Sequence, residues 1–141
     1  MLRGHIVMRA LRSLLAILLA LVVIVLVNQG GGELADLAGF AGGGERRLAL
    51  DLAWVFIAGV LATWVAVRLA PCAPRAHAAA LCVLMLLTAA VAVVRIGGDW
   101  PRWFSVGVLL APPLQAWFGT GWALQASQAA PDPERDQRNS R

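Results

Sequence analysis

Residues able to do chemistry are few in this chain and widely spaced. Cys72 and Cys82 are its only cysteines, and His5 and His77 its only histidines. The cysteines form no CxxC pair and no histidine lies at ligand spacing from either, so neither a zinc site nor a disulfide framework is expected. Cys82 falls in an apolar run, where a free thiol behaves as a small hydrophobe. Two histidines without carboxylate partners make a poor metal site, and no pair of them lies inside apolar runs, where a membrane haem would take its ligands. Glycine-rich loops can cradle phosphate, and residues 30–47 hold half of the 14 glycines. No strand followed by a GK[ST] step accompanies them, so a linker is the expected role. No nucleophile–base pair is visible, and no catalytic residue, cofactor or metal is assigned.

One constellation remains. In the last apolar run Gly107, Ala111, Gln115 and Gly119 recur at a spacing of four, which places them on one helical face. Pro112 and Pro113 interrupt the same helix, remove two backbone donors and release carbonyls that need partners. Gln115 is the one strongly polar residue well inside this run and is placed to supply such a partner. Interhelical glue is the preferred reading of this face and a ligand contact the alternative. The second apolar run carries a comparable ridge, Ala58, Ala62 and Ala66, with Gly59 and Thr63 beside it. Small residues at this spacing allow the close backbone approach on which helix association in lipid depends.

The elements that position these residues are apolar. Of 141 residues 60% are hydrophobic and 14% charged, against roughly 45–50% apolar and about 25% charged in soluble domains. Mean hydropathy is +0.72. So small a globule cannot hide that excess, and a lipid solvent accounts for it. Four spans are expected, near 12–29, 48–70, 76–95 and 102–124, each close to the 17–25 residues that cross a bilayer. The first resembles a secretory signal in its basic start and apolar core. It is read as a retained anchor because no small-x-small site follows it directly. A glycine-rich extracytoplasmic loop is expected over 30–47, in which 33–40 could form a short amphipathic helix on the bilayer surface. Short loops containing Pro and Gly join the later spans and make neighbours antiparallel. Tryptophans near the ends of the second and fourth spans suit the membrane interface. A disordered cytoplasmic tail is expected over 126–141.

All twelve basic residues are arginine, and four spans put eight of them on the side of both termini. That side is expected to be cytoplasmic. The absence of lysine beside abundant Ala, Gly and Arg suggests a GC-rich bacterial genome. The net charge of +4 comes from arginines at segment ends, unlike the basic stripe with aromatics that binds nucleic acid, so no nucleic-acid partner is expected. No acidic residue lies deep in a span, which weighs against an ion-coupled transporter.

The stretch Ala53-Trp54-Val55-Phe56-Ile57-Ala58-Gly59 and the stretch from Trp100-Pro101-Arg102-Trp103-Phe104 to Gly119 follow an N-terminal anchor and a glycine-containing loop. In these features the chain resembles a loosely defined family of small uncharacterised four-helix bacterial inner-membrane proteins, over most of residues 13–124. Members often carry an acid–His pair beyond the first helix, whereas this chain has Asn28-Gln29-Gly30 there. The resemblance implies topology and supplies no activity. The expectation is an all-α, polytopic, non-enzymatic protein of the bacterial inner membrane, four-span with both termini inside. It would act through helix packing or as an accessory subunit, with the bilayer and a second copy or another membrane protein as partners. A small oligomeric transporter or pore is the alternative.

Overall fold

The computed structural model describes residues 2–40 and 44–128, with the side chains of 2–5 left aside. It is all-α. Four helices follow one another: α1 (Leu2–Leu37), α2 (Glu45–Leu69), α3 (Pro74–Ile96) and α4 (Arg102–Gln128), with a single 3₁₀ turn (Gly97–Asp99) before the last. Three segments, Ile6–Leu37, Glu45–Leu69 and Pro74–Asp99, are long and apolar enough to cross a membrane. Helix α4 is equally long at 27 residues, but its two prolines, Gln115 and several glycines lower its hydropathy.

The first helix differs from its sequence expectation. Residues 30–37, expected in a loop, continue α1 as a single 36-residue helix, about 54 Å at 1.5 Å per residue. Three consecutive glycines each cost about 1 kcal/mol relative to Ala in a helix. Tertiary packing overrides that cost. Trp54 of α2 lies flat against Gly31, where any Cβ would overlap its indole ring. Ala35, one turn on, is also buried. The helix then ends in a Schellman motif: Phe40 N–H donates to the Ala35 carbonyl (3.1 Å) and Gly39 N–H to that of Asp36 (3.0 Å). Gly39 takes the positive φ of 82° that this stop requires. Arg47 fastens the turn from α2. It pairs with Asp36 and Asp51 and donates to the carbonyls of Phe40 (3.0 Å) and Gly32 (3.4 Å). A cation at a helix C-terminus also complements the macrodipole. The expected loop shrinks to a few residues around Gly39 and Gly44.

At the other end, α4 runs to Gln128, past the expected start of the tail at 126, and the rest of that tail lies outside the described residues. Arg68 closes this end by donating to Ser127 Oγ at 2.8 Å and by lying 5.8 Å from the Trp64 ring.

Helices α1, α2, α4 and α3 follow one another round the bundle, and α2 touches all three others. The backbones of α1 and α3 approach each other at few points, and side chains such as Leu81 fill part of the space between them. The interior is built from small residues: Ala16 and Ala20 on α1, Ala58, Ala62 and Ala66 on α2, Ala78 and Ala89 on α3. Leu81 joins Ala20, Ala62 and Ala66 in the central cluster. The outer faces of α1 and α3 carry the large apolar side chains, among them Leu18, Val22, Leu26, Leu87 and Val91. Size segregates here instead of polarity, as close helix approach in lipid demands.

Candidate functional site

Among the described residues the buried polar side chains lie in the α2–α4 seam. They are Thr63 and Gln115, both fully enclosed. On α2 the buried residues are Ala58, Gly59, Ala62, Thr63, Ala66 and Val67; on α4 they include Ala111, Pro112, Gln115, Gly119 and Ala123. Glycine determines how near the helices come. A Cβ at Gly119 would lie 2.6 Å from the Val60 carbonyl oxygen and 2.6 Å from Thr63 Cβ. At Gly107 it would lie 2.6 Å from Leu52 Cδ2. Such contacts are about 1 Å inside the ordinary separation of carbon atoms.

The expected face of α4 therefore divides. Ala111, Pro112, Gln115 and Gly119 are buried and Gly107 packs on Leu52, while Pro113 is exposed. Each helical step turns about 100°, so Pro113 lies about 200° from Ala111 and falls outside the buried arc that Ala111 and Pro112 share. Helix α4 runs through both without a break.

Gln115 reaches across the seam. Its Nε2 donates to the Val55 carbonyl oxygen at 3.0 Å, so it serves a carbonyl of α2 and not one released by the prolines. Its Oε1 is buried with no hydrogen-bond partner among the described residues. Gly59 makes room for this amide, since a Cβ there would overlap the Gln115 carboxamide and lie 2.6 Å from the Met85 methyl. Thr63 Oγ1 and Trp64 Nε1 are likewise buried without partners. A buried amide oxygen left unmatched costs about 1–3 kcal/mol, so this site is polar at a real energetic cost.

Beside Gln115 lies a cavity of about 280 Å³. Its floor is Val55 and Gly59 of α2 with Val108, Pro112 and Gln115 of α4; its sides are α1, from Leu21 to Asn28, and α3, from Leu84 to Ala92. It adjoins the Ala20–Leu81 cluster, with which it shares Leu21, Ile24 and Met85. The walls are apolar except for Asn28, Thr88 and Gln115, and the Thr88 hydroxyl already donates to the Leu84 carbonyl at 2.9 Å. Sequence reasoning missed Asn28 and Met85 as parts of one site. A helix continuing unbroken past Asn28 was the missing step, since a loop beginning at 30 would have put Asn28 at a helix end.

The remaining reactive groups stay apart. Cys72 is exposed and Cys82 half-buried, both as free thiols. His77 Nδ1 lies 3.2 Å from the Ala73 carbonyl oxygen at the start of its own helix. His5 lies outside the residues whose side chains are described. Among the described residues no three His, Cys, Asp or Glu side chains gather as a metal site. Aromatic residues pair near the helix ends, Trp64 with Trp122 at 5.9 Å and Trp100 with Phe104 at 5.0 Å, and Phe56 meets Phe118 farther in at 6.1 Å. Compared with family models, curated proteins and solved structures, the chain matches none.

Proposed function

We propose that this chain is a multi-pass protein of a bacterial inner membrane, with four spanning helices and both termini cytoplasmic. In this reading it works without catalysis, by lateral packing as an accessory subunit of a larger membrane assembly or of its own oligomer. The observation that carries the reading is the glycine-tight α2–α4 seam, which seats the least hydropathic helix against the hub of the bundle. With α4 so seated, its 27 residues span about 40 Å, more than the ~30 Å hydrocarbon core needs. The large apolar side chains of α1 and α3 face outward. A soluble monomer rarely exposes apolar patches beyond a few hundred Å², so these faces suit lipid and a membrane partner. The arginine distribution and the family resemblance support the orientation and the membrane.

The test is chain counting in native nanodiscs, combined with a photocrosslinking residue placed at Leu87 or Val91 on the outer face of α3. The expected result is a discrete complex, with crosslinks to a second copy or to one other membrane protein. A strict monomer crosslinked to lipid alone would contradict the reading.

A further inference from the structure

We propose that the cavity between α1 and α3 is a binding site for a lipid-borne molecule with an apolar body and one hydrogen-bond donor, such as an alcohol, which donates to Gln115 Oε1. The inference stands apart from the packing reading and concerns what the bundle holds, not what it joins.

Three observations converge. The first is an unmatched acceptor: Gln115 lines the cavity, is fully buried, and has an Oε1 without a partner among the described residues while its Nε2 is engaged by Val55. The second is a further acceptor on the same floor. Pro112 has no N–H to offer the carbonyl of Val108, four residues earlier, and Val108 also lines the cavity. Asn28 on the α1 wall carries a carboxamide that can donate as well as accept, whereas Gln115 Oε1 is answered only by a donor on the ligand. The third is the nature of the walls. Leu21, Ile24, Leu84 and Met85 offer a water molecule little to bond, and a 280 Å³ space is many times the roughly 30 Å³ a water takes in the liquid. An apolar body fits those walls better.

Access and gating also follow from the packing. The backbones of α1 and α3 stand apart beside the cavity, and its wall residues Leu84 and Thr88 are exposed, so a molecule could reach it between these helices. The Met85 methyl and Gln115 Oε1 both crowd the bare Cα of Gly59. Methionine is flexible enough to swing aside. Displacement of that methyl would let a hydroxyl reach Oε1 and donate to it.

The experiment uses the full chain in phosphatidylcholine nanodiscs and a diazirine-bearing octanol as photoprobe. Labelled residues are mapped by mass spectrometry, and protection is titrated with 1-octanol and with octyl methyl ether, which has a similar shape but no donor. Labels should fall on α1 from 21 to 28 and on α3 from 84 to 92, and 1-octanol should protect at about fivefold lower concentration than the ether. Gln115→Met, close in shape, should erase that preference, and Ala92→Leu should block labelling by filling the cavity. Equal protection by alcohol and ether in the unaltered chain would overturn the proposal, and so would labels spread evenly over the outer faces. That comparison needs no variant, so a misfolded substitution cannot rescue the idea.

Discussion

Replacing Gly119 by alanine is the sharpest test of the α2–α4 seam. The new methyl would lie 2.6 Å from the Val60 carbonyl oxygen and from Thr63 Cβ. Normal contact needs about 3.5–4.0 Å, so α2 and α4 must part by about 1 Å. The obstructing oxygen is backbone and cannot rotate away. Overpacking of this kind costs about 1–3 kcal/mol, against which alanine regains up to about 1 kcal/mol of helix propensity over glycine. The expected net loss is up to about 2 kcal/mol. Gly121, two residues along the same helix, is the internal control, because a Cβ there meets nothing within 4 Å. Gly121→Ala should therefore gain up to about 1 kcal/mol from propensity alone. Because the propensity gain is common to both, the two variants should differ by the overpacking cost, about 1–3 kcal/mol in reversible unfolding, measured in mixed micelles by SDS titration or in bicelles by steric trapping. If Gly119→Ala proves as stable as Gly121→Ala, the close approach of the two helices is wrong.

Further expectations concern the turn and the thiols. Arg47→Ala removes two ion pairs and two carbonyl contacts at the α1–α2 turn, so proteolysis at residues 38–44 should accelerate with the rest of the bundle intact. High salt should reproduce part of that effect in the unaltered chain, since the pairs lie near solvent. The double variant Cys72→Ser, Cys82→Ser should accumulate and melt like the parent, because neither thiol is paired or fully buried.

What could be read from the sequence follows from which forces are local. The ridge Ala58, Ala62 and Ala66 was legible because helical spacing alone puts these residues on one face, and the interior of α2 uses it. On α4 the same spacing recurs, with Ala111, Gln115 and Gly119 buried and Pro113 exposed. The extension of α1 was not. Glycine triplets favour loops by local propensity, and only the Trp54 ring, 23 residues away, overrides them at Gly31. A hint was present in the spacing, since Ala16, Ala20, Gly31 and Ala35 lie near one face of a continuous helix, and all four are buried. The partner of Gln115 was equally out of reach. In sequence the released carbonyls of its own helix are the nearest acceptors, whereas the amide crosses to Val55 on α2. Its unmatched oxygen depends on Gly59 and Met85 from two other helices, which no linear pattern reveals.

Topology mapping with dual reporters tests the central claim most directly, since the fourth crossing of the bilayer decides whether α4 is a span. Fusions would be placed in turn at Gly44, Cys72, Gly98 and after Arg141. The account predicts reporters active outside the cytoplasm at Gly44 and Gly98, and inside it at Cys72 and after Arg141. A C-terminal reporter active outside, with the other three as expected, would leave α4 on the outer surface. It would contradict the four-span bundle.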